Sequence, residues 1–105
     1  MKYYMYVIRL DDAVINSRKF RRCNPDVNIR LPCFYVGQSC HPPEIRFWQH
    51  KKGYKSNHFV KEFGLGLCPR YYDRYNPIST RKEAERIEVF LTENLRKKGH
   101  GVWSH

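Results

Sequence analysis

The chain of 105 residues suffices for one domain with one hydrophobic core and leaves no room for a second. Hydrophobic residues at 41% and charged residues at 29% exclude a disordered chain, and no apolar run is long enough to span a membrane. Twenty Lys and Arg against ten Asp and Glu give a net charge of +10, which favours a polyanionic partner such as nucleic acid. A solvated basic surface is the competing interpretation.

The N-terminal residues and the cysteines bear on where the protein works. The first residues form no apolar stretch of the secretory type, so we expect a cytoplasmic protein, bacterial or phage-type, with reduced thiols. The cysteines are Cys23, Cys33, Cys40 and Cys68, and no two have the C-x-x-C spacing of a zinc knuckle. A zinc-stabilised structural protein with a site of Cys23, Cys33, Cys40 and His41 stays open as an alternative.

The first predicted element is a buried strand from Tyr3 to Leu10, where aromatic and β-branched residues dominate. Residues 11–31 are polar and basic without a clean period, which predicts a long loop inserted between two strands. This loop supplies a candidate arm that contacts a nucleic-acid backbone through Arg18, Lys19, Arg21 and Arg22. A disordered insertion without function is the alternative.

A second strand and a helix follow. Cys33 to Gly37 has the composition of a strand and ends at its glycine. The pair Pro42-Pro43 with Glu44 in the first turn predicts a helix start, and Gly53 predicts its end.

This helix carries candidate functional residues. Arg46 and His50 lie four residues apart and therefore share a face. We expect Phe47 and Trp48 to pack in the core, with stacking on nucleic-acid bases as the alternative. A short helix from His58 to Phe63 comes next, for which Ser56 or Asn57 can serve as the N-cap. A third strand is predicted from Leu67 to Tyr72, with Pro69 at an edge or bulge.

The last helix has the clearest pattern. Thr80 and Glu83 form a capping box, apolar residues recur at helical spacing, and Gly99 marks the end. Val102-Trp103 is expected to pack back on the domain. Glu88 interrupts the apolar stripe, so its carboxylate either reaches solvent at the edge or is buried with a partner such as Mg²⁺.

The order of these features resembles the GIY-YIG nuclease family over nearly the whole chain, from Tyr4 to about His100. Tyr35-Val36-Gly37 matches the second motif of the family. Tyr4-Met5-Tyr6 stands at the first motif, with the Gly and Ile of the family pattern replaced.

The later parts of the family pattern also have counterparts. The spacing of Arg46 and His50 is similar to that in several members, and Ala84-x-x-x-Glu88 is similar to the A-x-x-x-E helix of the family. The family often has an asparagine twelve residues after the glutamate, and His100 occupies that position here with an open role.

The resemblance implies an α/β (α+β) fold with a small, mainly antiparallel three-stranded sheet flanked by helices, in one domain over residues 1–105. It implies a DNA endonuclease that hydrolyses phosphodiester bonds with Mg²⁺ or Mn²⁺. The implied catalytic residues are Tyr6, Tyr35, Arg46, His50 and Glu88. Glu88 would hold the metal, Arg46 would neutralise phosphate charge, and the tyrosines would orient or deprotonate the attacking water. His50 would accept the tyrosine proton.

Further residues are expected to contact the DNA. They are Arg18, Lys19, Arg21, Arg22, Gln38, Lys51, Lys52, Lys55 and Arg70. Whether the DNA is single- or double-stranded, and whether the protein is a monomer or a homodimer, stays open at this level. The principal alternative is a non-catalytic nucleic-acid-binding module that retains the nuclease fold.

Overall fold

The computed structural model describes residues 1–104, which form four strands, four α-helices and three short 3-10 helices. The strands are Tyr4–Leu10 (β1), Cys33–Ser39 (β2), Gly64–Leu67 (β3) and Val102–Ser104 (β4). The helices are Arg18–Arg22 (α1), Pro43–Lys52 (α2), His58–Phe63 (α3) and Arg81–Lys97 (α4). Short 3-10 helices occupy Asp12–Asn16, Pro69–Tyr71 and Asp73–Tyr75. The predicted α+β class is confirmed.

The sheet differs from the expected one in its strand number. It has four strands in the order β3-β1-β2-β4, with β1 antiparallel to both neighbours and β4 parallel to β2. The prediction of three strands is wrong because Val102 and Trp103 pair with Phe34 and Tyr35 of β2 instead of only packing against the domain. A strand of three residues is too short to show a period of two in the sequence.

The register of the central strands places the key aromatic residues on one face. Tyr6 of β1 lies opposite Gly37 of β2, and Ile8 lies opposite Tyr35. Because side chains alternate between the two faces of a sheet, Tyr6 and Tyr35 project on the same side. The ring of His50 on α2 contacts both tyrosines, so α2 covers this face.

The segment predicted as an inserted loop at about 11–31 contains two short helices. Asp11 caps the 3-10 helix by accepting the N–H of Ala13, and Ser17 caps α1 by accepting the N–H of Phe20. Phe20 is fully buried and meets Phe59 edge-on, with ring centroids 5.6 Å apart. Helices of five residues are too short to show a helical period, and for that reason the sequence pattern predicted a loop.

The middle of the chain follows the predictions for its helices and departs from them at its strand. α2 ends at Gly53, whose φ of 86° is the left-handed conformation that glycine adopts most easily. Asn57 is the N-cap of α3. The strand predicted at Leu67 to Tyr72 is wrong: β3 spans Gly64–Leu67, and Pro69 begins a 3-10 helix. Proline lacks the N–H that a strand needs, so it favours the helical start.

Helix α4 begins and ends where the pattern indicates. Its N-cap Thr80 accepts the N–H of Glu83 at 3.1 Å. Its buried residues are Ala84, Glu88, Leu91, Thr92 and Leu95, and the helix packs against β1, β2 and β4. None of the helices between residues 1 and 104 combines the length and apolar character needed to cross a membrane.

Candidate active site

The structure brings together two tyrosines and a histidine from three different elements. Tyr6 of β1, Tyr35 of β2 and His50 of α2 are all buried. The Tyr6 Oη atom lies 2.9 Å from His50 Nε2. The ring centroid of Tyr35 is 6.0 Å from that of Tyr6 and 5.5 Å from that of His50. The two tyrosine rings and the imidazole therefore form one cluster on the face of the sheet that α2 covers.

Gly37 determines how the Tyr6 ring lies on β2. A Cβ atom at this position would stand 2.6 Å from both Cζ and Oη of Tyr6, and 3.0 Å from Cε1 of Tyr35. No side chain fits at that separation, so the absence of a Cβ lets the Tyr6 hydroxyl lie directly over the β2 backbone. This contact explains why a glycine follows Tyr35-Val36 in the sequence.

The hydrogen bond at Nδ1 of His50 determines which of its two ring nitrogens carries the proton. The backbone N–H of Asn57 donates to His50 Nδ1 at 3.0 Å, so Nδ1 is an acceptor and carries no proton. Neutral imidazole has one N–H, which must then be on Nε2 and point at the Tyr6 oxygen. In this tautomer His50 donates to the Tyr6 oxygen, and the transfer of the tyrosine proton to His50 during catalysis stays a prediction.

Arg46 reaches the same cluster and is held by the turn after α2. Its Nη2 donates to the carbonyl of Lys55 at 2.6 Å, and its Nη1 donates to the carbonyl of Tyr54 and to Oε1 of Gln49, both at 3.2 Å. Lys55 has a φ of 44°, a strained conformation for a residue with a side chain. The hydrogen bonds of Arg46 stabilise this turn, and the turn in turn holds the guanidinium in place.

Burial and the neighbouring charges shift the pKa values of both tyrosines. Burial raises the pKa of Tyr6 to about 12, while the positive charge of Arg46 and hydrogen bonds with Tyr35 and Arg46 oppose the rise, and the charge of Glu88 adds to it. Burial also raises the pKa of Tyr35, and the neighbouring Tyr6 and Glu88 raise it further against the opposing charge of Arg46. Arg46 and Glu88 thus lie within electrostatic reach of both hydroxyls.

Glu88 is a buried carboxylate on α4. Its side chain is only 9% exposed, and its Oε2 has no hydrogen-bond partner among residues 1–104. Burial, with a smaller effect from the charge of Glu85, raises the pKa of this carboxyl from its ordinary value to about 7. A buried carboxylate without a partner is costly, which is typical of a group that binds a ligand.

Thr92 is a second buried polar residue of α4, and the sequence pattern did not predict its burial. It stands four residues after Glu88 and so on the same face of α4, and its buried Oγ1 also has no hydrogen-bond partner among residues 1–104. The spacing of four residues from Glu88 was the one feature of the sequence that could have indicated that Thr92 is buried on the same face.

The residues of this site fit a hard divalent cation rather than zinc. A single carboxylate with an open oxygen is the donor set that Mg²⁺ uses when it keeps most of its water ligands. Among the described residues, no three His, Cys, Asp or Glu side chains are gathered to hold a metal ion. The zinc site of Cys23, Cys33, Cys40 and His41 is therefore not formed.

The basic residues expected at DNA are exposed, yet several have partners within the protein. Lys51 donates to the carbonyls of Lys61 and Gly64 at 3.2 and 2.9 Å, so it caps the end of α3. Lys19 lies over the ring of Trp103 at 5.4 Å. The side chains of six other residues expected at DNA are exposed and make no hydrogen bond to the backbone of residues 1–104: Arg18, Arg21, Arg22, Lys52, Lys55 and Arg70.

The structure gives the positions of two further candidate residues, Gln38 and His100. Gln38 lies opposite Met5 in the sheet, one residue after Gly37, so its side chain projects on the face away from the tyrosines. His100 Nδ1 is 2.8 Å from the carbonyl of Pro32 and its ring packs on Phe34 at 5.0 Å, which is a structural role.

Comparisons with known proteins found no match to this chain. No protein-family model, no curated protein and no solved structure matches the chain.

Proposed function

We propose that the protein is a metal-dependent DNA endonuclease of the GIY-YIG type. The observation that carries the proposal is the buried, unpartnered carboxylate of Glu88 within electrostatic reach of Tyr6 and Tyr35. In a core with a purely structural role, such a charge is paired with a partner or replaced by an apolar residue. Phosphodiester hydrolysis, in contrast, requires a cation site, an activated water and a positive charge near phosphorus in one place.

The surroundings of the Tyr6 hydroxyl support Tyr6 as the proton acceptor. His50 donates Nε2–H to the Tyr6 oxygen, and Tyr35 and Arg46 also stabilise its ionised form. The pKa of Tyr35 is raised further above its ordinary value, so Tyr35 keeps its proton. With a pKa of about 12 for Tyr6, about one molecule in 10⁴ holds a phenolate at pH 8, and that phenolate is a strong base.

The reaction then proceeds as a displacement at phosphorus. The oxygen of a water molecule forms a bond to phosphorus, its proton passes to the Tyr6 oxygen, and the bond from phosphorus to the 3′-oxygen breaks. Arg46 provides positive charge for the non-bridging oxygens. A divalent cation held by Glu88 would supply Lewis-acid stabilisation of the phosphate charge. The leaving oxygen takes a proton from solvent.

A cleavage assay with separated binding and chemistry tests the proposal. Wild-type protein should nick labelled DNA with Mg²⁺ or Mn²⁺, and Glu88→Ala should lose at least 100-fold in rate while its DNA affinity stays within about twofold, since its role is at the metal. Tyr6→Phe should lose cleavage more completely than Tyr35→Phe.

Glu93→Ala is the matched control because it removes an exposed carboxylate of the same helix. It should cleave like the wild type. If the wild type binds DNA and cuts neither single- nor double-stranded DNA with either metal, the non-catalytic binding module is the correct function.

A further inference from the structure

Two aromatic side chains at the end of α2 are exposed to solvent. Trp48 is 60% exposed and Tyr54 is 56% exposed, although both are residues that folding normally buries. The expectation that Trp48 packs in the core is therefore wrong, whereas Phe47 does pack against it. An exposed Trp and Tyr close together in the chain are typical of a binding surface.

Each of these rings is accompanied by a lysine. Lys52 follows Trp48 by four residues on the same side of α2, and its Nζ lies 5.9 Å from the centre of the indole. Lys55 Nζ lies 5.6 Å from the centre of the Tyr54 ring. Each site thus combines a flat apolar surface with a positive charge beside it.

One pair lies in the last turns of α2, and the other lies in the turn that follows the helix. The N–H of Tyr54 donates to the backbone carbonyl of Gln49 at 2.9 Å, and the N–H of Gly53 donates to the backbone carbonyl of His50 at 3.1 Å. This arrangement is a Schellman motif, which turns the chain back so that the residue after the glycine lies beside the last helical turn. Arg46 holds the same turn through the carbonyls of Tyr54 and Lys55.

We propose that Trp48 and Tyr54, flanked by Lys52 and Lys55, form a stacking surface for unpaired nucleotides of single-stranded DNA. This inference deepens the proposed function and rests on it for the link to cleavage. Bases stack on aromatic rings whatever their identity, and the lysines bind the intervening phosphates. A duplex has its bases already stacked on each other and presents only phosphates to this surface.

The chemistry of the surface favours a polyanion over an apolar protein partner. Burying Trp48 in a protein interface would also remove Lys52 from water, which is costly without an acidic partner. The net charge of +10 favours a nucleic acid for the same reason.

The position of the surface suits a strand that also reaches the active site. Trp48 lies on the side of α2 away from Arg46 and His50, since two residues correspond to about 200° of helix rotation. The width of a helix, about 10 Å, corresponds to about three nucleotides at a rise of about 3.4 Å per strand. A strand that stacks on Trp48 would therefore need about three nucleotides to cross α2 to the side where Arg46 and His50 lie.

Binding measured without metal tests the surface separately from cleavage. In EDTA, fluorescence anisotropy gives the Kd for a labelled twelve-nucleotide DNA strand, the same strand with abasic sites, and a duplex of the same sequence. Trp48→Ala should weaken binding of the intact strand by about 5- to 100-fold. It should change the Kd for the abasic strand and the duplex less than twofold, and Trp48→Phe should retain most of the affinity.

Phe90→Ala is the matched control, because Phe90 is an aromatic of similar exposure, 54%, on α4. It should bind all three DNAs like the wild type. Equal affinity of Trp48→Ala and wild type for the intact strand overturns the inference, and so does an equal loss on the abasic strand or on the duplex. An RNA strand of the same sequence distinguishes the sources: tighter binding of RNA than of DNA overturns the assignment to DNA.

The two proposals fail in different ways. If the Trp48→Ala effect is present and the wild type never cleaves, the stacking surface stands and the endonuclease is wrong. If the wild type cleaves and Trp48→Ala binds and cleaves single strands normally, the endonuclease stands and the stacking surface is wrong.

Discussion

Gly37 shows how one missing side chain positions a reactive group. The Tyr6 hydroxyl lies where a Cβ on residue 37 would be, at a separation of 2.6 Å. The tyrosine can therefore meet His50 only because β2 has no side chain at this point. The strand sequence indicated a glycine at the end of a strand, and only the register with β1 shows that it lies beneath Tyr6.

We expect Gly37→Ala to displace Tyr6 and break its hydrogen bond to His50. Unfolding in urea should show a loss of about 1–3 kcal/mol, typical of overpacking in a core. Cleavage should fall by more than the unfolded fraction explains. Gly66→Ala is the control, because a Cβ there meets no atom of residues 1–104 within 4 Å. An unchanged rate in Gly37→Ala would show that Tyr6 does not need this position.

Glu88 predicts a pH dependence of stability in the absence of metal. Its pKa is about 7 in the folded chain and about 4.3 when exposed, so the folded state holds a proton that the unfolded state has lost between these values. The contribution of this carboxyl to the free energy of unfolding is fully present below about pH 4.3 and is lost as the pH rises through about 7. In EDTA, the Tm should therefore fall between pH 5 and pH 8.

Glu88→Gln isolates this effect from other titrating groups. The amide keeps the shape of the protonated carboxyl and does not ionise, so the fall in Tm between pH 5 and pH 8 should be smaller than in the wild type. Excess Mg²⁺ should raise the Tm of the wild type at pH 8 and leave that of Glu88→Gln unchanged, because a ligand stabilises only the state that binds it. A parallel fall in both proteins contradicts the assignment of the shift to Glu88.

At the scale of elements, Asn24 joins α1, α4 and β4. Its Nδ2 donates to the carbonyl of Phe20 at 2.8 Å. Its Oδ1 accepts the N–H of Val102 at 2.8 Å and the Nε–H of Arg96 at 3.1 Å. The segment expected to be a loop therefore supplies the polar contact that places the fourth strand.

Asn24→Ala should loosen this junction. It leaves the N–H of Val102 and the carbonyl of Phe20 buried without their partner, at an expected cost of about 2–4 kcal/mol by urea unfolding. Hydrogen exchange at Val102 and its neighbours in β4 should accelerate more than exchange in β1. The control is Asn16→Ala at an exposed position. Stability within about 0.5 kcal/mol of the wild type in Asn24→Ala would contradict the role of the junction.

The sequence predicted the elements whose signals are local. α2, α3 and α4 begin and end at their capping residues, with Gly53 and Thr80 in the predicted roles. It did not predict α1 or β4, because elements of five and three residues are specified by their partners rather than by a period. The same reason explains the misplaced third strand.

At the scale of the whole molecule, the net charge of +10 predicts binding that depends on salt. Helix α1 buries Phe20 and leaves Arg18, Arg21 and Arg22 on the exposed side. If these residues contact DNA phosphates, replacing all three with Gln should lower the slope of log Kd against log salt by about 0.7 for each lost contact with a single strand.

A variant of equal charge separates a local contact from the overall field. Arg81→Gln, Lys82→Gln and Arg86→Gln together remove the same charge from the exposed start of α4. A smaller slope change in this variant than in the α1 variant supports contact through α1. Equal changes in the two variants would mean that only the net charge matters.

The sequence by itself determined the α+β class, the longer helices and the basic charge, because composition, period and capping are properties of neighbouring residues. Only the tertiary structure decided the partners of distant groups: Tyr6 with His50, 44 residues apart, and Asn24 with Val102, 78 residues apart. The tautomer of His50 follows from the same cause, since it depends on the backbone N–H of Asn57. The burial of Glu88 also depends on how α4 packs, which no local pattern specifies.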